Sequence, residues 1–170
     1  MIESTLVLVK PDGVARGIAT SVLSRFERVG LKLSAIKMVH PTAEQAKSHY
    51  LQEDIATRHS EAIWLQLIDY LTEAPVLVAA FSGVGAIEIA RKIAGPTEPR
   101  TAPPGTIRGD YCHQSYAVCN AAGKAVRNVI HASADEADAE RELSVWFSRG
   151  EILSYRRTDD YEHYLGTDHD

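Results

Sequence analysis

Residues 126–147 read VRNVIHASADEADAERELSVWF, and the way this stretch divides decides the fold. RNVIHA has the branched apolar residues of a short strand. The acidic run from about 135 to 147 reads as a helix. The division leaves His131 at a strand end and Glu142 on the helix that follows, eleven residues later. A strand holds a histidine for packing alone or for chemistry, and the sequence of this stretch leaves both open. Glu142 taken by itself also reads as an ordinary exposed helical glutamate.

Working outward, TLVLVK (5–10) reads as a buried strand stopped by Pro11-Asp12-Gly13, a turn signal. Ile18 to Val29 repeats apolar residues at 18, 22, 23 and 26, the period of an amphipathic helix that ends at Gly30. LKLSAIKMV (31–39) alternates like a half-buried strand. Thr42 with Gln45 forms a capping-box pattern at the start of a helix. Residues 61–72 give a second helical stretch, PVLVAAFSG (75–83) a third strand, and Val84 to Ala94 a helix closed by Gly95. From 96 to 125 four prolines and several glycines predict a long irregular segment, and such loops are usually functional or flexible. The order is β-α-β-α-α-β-α, loop, β-α, with no repeat and no linker. It predicts an α+β class: a ferredoxin-like sandwich rather than a long doubly wound sheet. The 170 residues fit one domain, 1–170, ending in a polar tail.

Composition removes several classes of function. Apolar residues make up 45 % and charged residues 24 %, ordinary for a globular protein. Eighteen basic against 23 acidic residues give a net charge of −5, which argues against a nucleic-acid partner. The N-terminus lacks a signal peptide's basic region and long apolar run. No apolar stretch is long enough to cross a bilayer, so no membrane association is expected. Cys112 and Cys119 lack both a disulfide framework and zinc spacing, even with His113 alongside. Reduced thiols and a cytoplasmic location are the expectation.

A polyanion site is the chemistry that the scattered polar residues suggest. Lys10 ends an apolar strand at the sheet rim, Arg91 lies on the polar face of its helix, and Thr97 follows the Gly95 stop. Arg108 is framed by glycines in Gly105-Thr106-Ile107-Arg108-Gly109-Asp110. Each alone is unremarkable, and Lys10 alone reads as a solvated strand end. Gathered around one cavity they would supply guanidinium forks, an ammonium and a hydroxyl to a polyphosphate. The chain has neither GxxxxGK[ST] nor GxGxxG, so such a site must use side chains rather than a glycine cradle. An imidazole in that setting attacks phosphorus near neutral pH because it is largely unprotonated there. The phosphoramidate formed splits a transfer into two displacements, and a carboxylate such as Glu142 would orient the ring.

TLVLVKPDGVARG, His49-Tyr50, PGTIRGDY (104–111) and NVIHAS followed by E-x-x-x-WF occur here in this order. Over essentially its whole length the sequence resembles the nucleoside diphosphate kinases. The resemblance implies a four-stranded antiparallel sheet with helices on its faces. It implies transfer of a γ-phosphate, mainly from ATP, to nucleoside diphosphates by a ping-pong mechanism. Mg²⁺ would be held by the nucleotide phosphates rather than by protein ligands, and the chain would assemble as a hexamer, tetramer or dimer. By position, His131 matches the phosphorylated histidine and Glu142 the glutamate supporting it, with Ser133 close by. Lys10 and Tyr50 match the phosphate end of the site, and Arg91, Thr97, Arg108 and Asn128 match phosphate- and ribose-binding positions.

Three departures from the family pattern stand out. The base-stacking phenylalanine falls on Ile63, with Trp64 beside it, so stacking is either lost or passed to Trp64. The segment between Tyr111 and Asn128 (the loop at about 112–127) is about ten residues longer than in the family, which bears on how subunits meet. The histidine is followed by Ala-Ser-Ala-Asp rather than Gly-Ser-Asp, with little consequence expected because Ser133 is kept. A binding module without turnover is the competing class, disfavoured by the retention of His131, Lys10, Arg91, Arg108, Asn128 and Glu142.

Overall fold

The computed structural model describes residues 2–158. Its frame is a four-stranded sheet of β1 (Ile2–Val9), β2 (Lys32–Val39), β3 (Val76–Val84) and β4 (Ile130–Ala132). The strand order is β2-β3-β1-β4 and every pairing is antiparallel. The continuous apolar run of β1 follows from its place inside the sheet, with both faces covered. Val7 and Val9 join Leu77, Ala79 and Phe81 in the core on one face. Leu6 and Leu8 join Val76, Val78 and Ala80 on the other. The α+β sandwich expected from the element order is the architecture observed.

The first face is covered by α2 (Ala19–Glu27), through Val22, Leu23 and Phe26, and by α6 (Ala86–Ala94). The second is covered by α5 (Glu61–Thr72), with Trp64, Ile68 and Leu71, and by α9 (Glu136–Trp146). Thr42 opens α3 (Ala43–His49) with the capping box that its spacing predicts, bonded reciprocally to Gln45.

Three local readings are corrected. Pro11-Asp12-Gly13 does not merely turn: it begins a short helix, α1 (Pro11–Ala15), with proline at its first position, where its missing N–H is harmless. Residues 52–58, unassigned from the sequence, form α4 (Gln52–Arg58), which buries no residue and so shows no apolar stripe. The segment 96–125 is not simply irregular. It holds a 3-10 turn at Pro99–Thr101, then α7 (Ile107–Tyr111) and α8 (Tyr116–Ala121). Of the polar tail, residues 159–170 lie outside the described residues.

The entry to β4 is a tight reversal. Val129 has φ 66°, a region that a β-branched residue occupies only at a cost of roughly 1–3 kcal/mol. The Lys10 N–H donates to Val129 O at 2.7 Å, Val129 N–H donates to Asp12 Oδ2 at 3.2 Å, and Ile130 N–H donates to Asn128 O at 2.7 Å. These bonds hold the strained residue and aim Asn128 and His131 into the same cleft.

Candidate active site

The cleft lies beyond β4 and the C-terminal end of β1, and its volume is about 510 Å³, ample for a nucleotide-sized ligand. Lys10, Tyr50, Arg91, Thr97, Arg108, Asn128, His131 and Glu142, the positions singled out from the sequence, all line it. Its floor is β4, whose His131 pairs with Leu8 of β1. This register sets the imidazole beside Lys10, which leaves the same end of β1.

His131 is held from one side only. Its Nε2 lies 2.9 Å from both Glu142 carboxylate oxygens. Since a carboxylate only accepts, Nε2 carries the proton and the Nδ1 lone pair is left free. Glu142 is 2 % exposed and takes a further bond from Ser133 Oγ at 2.7 Å, while Ser133 Oγ accepts from Leu6 N–H at 3.2 Å. Burial pushes the Glu142 carboxyl up. His131, His49 and Ser133 outweigh it and hold the group at about 2, so it stays ionised.

His49 sits against the same carboxylate, its ring 4.4 Å from that of His131 and nearly perpendicular to it. The two residues differ in what surrounds them. His49 is 2 % exposed, and its Nδ1 accepts from Trp146 Nε1–H at 3.2 Å. Burial and the neighbouring His131 press its basicity well below normal, so the ring is a neutral buttress. The side chain of His131 is 19 % exposed, toward the cleft.

The cations opposite are not compensated. Arg108 is 7 % exposed, and its terminal nitrogens donate to Gly95 O and Ile130 O while its buried Nε has no partner among the described residues. Lys10 Nζ donates to Asn128 Oδ1 at 2.8 Å. Burial, reinforced by Arg108, drags its ammonium down to about 7. Among the described residues neither Lys10, Arg91 nor Arg108 forms an ion pair with a carboxylate. For Lys10 and Arg108, which are buried while Arg91 is exposed, positive charge without a carboxylate partner is costly and favours an anionic ligand. Asn128 ties the cluster together, its Nδ2 donating to Thr97 O at 3.0 Å.

His49, His131 and Glu142 place potential ligand atoms within 4.8 Å of one another. They do not suit Mg²⁺, which prefers oxygens in octahedral geometry. His49 Nδ1 is also already bonded to Trp146, and both Glu142 oxygens to His131. Of the two residues considered for the base, Trp64 is 7 % exposed, packs in the core and donates its indole N–H to Tyr50 O at 2.7 Å. Ile63 faces the cleft, as do Ala125 and Val126. Sequence reasoning passed over His49, Arg58, Tyr116 and Asn120 as lining residues. The His49-Tyr50 pair was a signal for the first; nothing in the pattern pointed to the other three.

A histidine with one nitrogen pinned by a carboxylate, in a cleft lined by cations without carboxylate partners, is an arrangement suited to carrying a phosphoryl-like anion on an imidazole. Comparison with known proteins identifies the family. The family described as nucleoside diphosphate kinase matches residues 3–152. A nucleoside diphosphate kinase of Borreliella burgdorferi is 52 % identical over 164 residues, covering 96 % of this chain and 98 % of that one. One of Pyrococcus furiosus is 44 % identical, covering 94 % and 92 %. Among solved structures, a transition-state mimic of the Borrelia burgdorferi enzyme with bound vanadate and ADP superposes with a TM-score of 0.94 at 52 % identity, covering 96 % of this chain and 97 % of that one. A Pyrobaculum aerophilum NDP kinase gives 0.83 at 36 % identity, covering 91 % and 100 %. The chain belongs to the nucleoside diphosphate kinase family.

Proposed function

We infer that the chain is a nucleoside diphosphate kinase that relays a γ-phosphate, mainly from ATP, through His131 to a second nucleoside diphosphate. The observation that carries this reading is that His131, its Nε2 held by Glu142 and its Nδ1 free, shares one cleft with Lys10, Arg91 and Arg108, which have no carboxylate partner among the described residues. The polyphosphate enters among Arg91, Thr97, Arg108 and Lys10, and Asn128 and Tyr50 frame the side nearer the histidine. His131 Nδ1 attacks the γ-phosphorus in line: the N–P bond forms as the bond to the β,γ-bridging oxygen breaks, and the diphosphate leaves. Glu142 stabilises the positive charge that grows on the ring and keeps the proton on Nε2. A second diphosphate takes the phosphoryl group by the reverse path. Fixed cations and in-line placement supply most of the acceleration in such transfers.

Mg²⁺ fits as a partner of the nucleotide, supplying charge neutralisation to its phosphates. Asp54 lines the cleft and has no ion-pair partner among the described residues, so it would offer a hard oxygen toward that ion. Ile63 and Val126 give the base an aliphatic slot without an aromatic platform, which supports tolerance of several bases. Assembly of like chains is supported by β2, an edge strand that exposes Ile36 and Met38. A cytoplasmic place is supported by the free thiols of Cys112 and Cys119. No helix among the described residues is long and apolar enough to cross a membrane.

The reading is tested by incubating the protein with γ-labelled ATP and Mg²⁺ without any diphosphate. Label that is acid-labile, alkali-stable, lost in His131→Ala and chased off by GDP is the expected result. Folded protein that takes no label overturns it.

A further inference from the structure

The added segment between Tyr111 and Asn128 folds over the cleft rather than away from it. Ser115 caps α8 by accepting from Val118 N–H at 3.4 Å, and the Tyr116 N–H donates to Glu98 Oε2 at 2.8 Å. On the return side, Gln114 Oε1 accepts from the Arg127 N–H at 2.9 Å and from the Cys119 thiol at 3.4 Å. The helix is therefore fastened to both borders of the site. It contributes little to the core, because Cys119 is its one buried residue and Val118 is 69 % exposed. Packing does not explain why it is there.

Tyr116 is 40 % exposed and lines the cleft. Thr97 and Arg108 line the same cleft, and the Tyr116 hydroxyl lies within the electrostatic reach of both. Thr97 is in turn anchored to the floor through Asn128. A phosphate seated between Thr97 and Arg108 has the tyrosine hydroxyl at its flank, with one proton to donate.

We propose that Tyr116 is a phosphate-binding residue of this chain's nucleotide site, supplied by the added helix α8. The proposal rests on the reading of the cleft as a nucleotide site and extends it. The hydroxyl adds a neutral donor to the cationic set, strengthening binding of di- and triphosphates without touching the phosphorus attacked by His131. Its contribution therefore falls on binding rather than on the chemical step.

Tyr116→Phe removes the hydroxyl and keeps the ring. By calorimetry and steady-state kinetics, the Kd for ADP and the KM for ATP should rise about tenfold, as for a hydrogen bond to a charged group in a partly solvated site. The kcat at saturation, the binding of adenosine and the melting temperature should stay at wild-type values. ADP affinity within about twofold of wild type, below the expected worth of such a bond, overturns the proposal. Equal weakening of ADP and adenosine also overturns it, since the tyrosine then acts as a wall for the nucleoside. Wild-type protein that takes no label from ATP and binds no ADP would fail one step earlier, removing the nucleotide reading and the tyrosine's role together.

Discussion

The floor of the cleft and its walls are built to different standards. On the floor, Lys10, Asn128, His131 and Glu142 sit at the ends of adjoining strands and on a core-packed helix, each tied by side-chain hydrogen bonds. The walls, α4 and α8, bury no residue and one residue respectively. Local opening draws on the parts of a fold with the fewest buried contacts. The difference teaches a division of labour: the histidine and the cations on the floor are fixed in advance, while the helices that border the cleft are loosely supported. Floor substitutions should therefore strike the chemical step, and wall substitutions should strike affinity.

The largest expected effect is at His131. His131→Ala should lower turnover by at least about 10⁴-fold in a coupled assay, as for other lost nucleophiles. Glu142→Gln replaces an acceptor-only group by one that also donates, so the imidazole can reverse its tautomer. A fall in kcat of about 10²–10³-fold with little change in ADP affinity is expected, on the scale of a lost positioning charge. A matching loss of affinity would blur the boundary between floor and wall.

Gly109 tests the loop behind Arg108. A Cβ there would lie 2.1 Å from Pro103 O and 2.9 Å from Thr106 Oγ1, so backbone must shift. Gly109→Ala should cost about 2–4 kcal/mol in denaturant unfolding and raise the KM for ATP, because the α7 turn that carries Arg108 is displaced.

Lys10 sharpens the comparison through pH. With its folded value lowered from 10.5 to about 7, the empty site holds a largely neutral amine above neutrality, and a bound polyphosphate favours the ammonium. Proton uptake on ADP binding, read by calorimetry in buffers of different ionisation enthalpy, should be small at about pH 6. It should approach one proton by about pH 8. Lys10→Met should lose that difference. For stability the slope is that of any group whose folded value is lowered: between about 7 and 10.5 the unfolded chain binds the extra proton, so stability rises with pH across that window. Lys10→Met should accordingly melt higher than wild type at neutral pH while turning over poorly. The smallest effect is at Ile63, on the cleft side of α5: Ile63→Ala should weaken ADP by about twofold to fivefold with kcat unchanged, an aliphatic contact in a partly open slot.

Much of this was legible in the sequence because it depends on local pattern. The unbroken TLVLVK run announces a strand covered on both faces, and Thr42 with Gln45 announces a helix start. A histidine ending a strand, with a glutamate one helix on, marked the floor. The walls were not legible for the reverse reason. Gln52–Arg58 has no apolar stripe, and Tyr116–Ala121 is a short helix framed by glycine- and proline-rich chain that reads as loop. Whether Ile63 or Trp64 faces the cleft was decided by tertiary packing, as Trp64 satisfies its indole on Tyr50 O inside the core. The His49-Tyr50 motif marked His49 without its role, because that role lies in touching His131 and Trp146, residues 82 and 97 positions away.

The central claim is that Glu142 reserves Nε2 and leaves Nδ1 as the nucleophile. The direct measurement is to phosphorylate the protein with labelled ATP, digest it in alkali and separate the phosphohistidine isomers by chromatography. The account predicts phosphate on Nδ1, the 1-phosphohistidine isomer. Recovery of the Nε2 isomer from folded wild-type protein would contradict it, because the Glu142 contact would have to break before the transfer could begin.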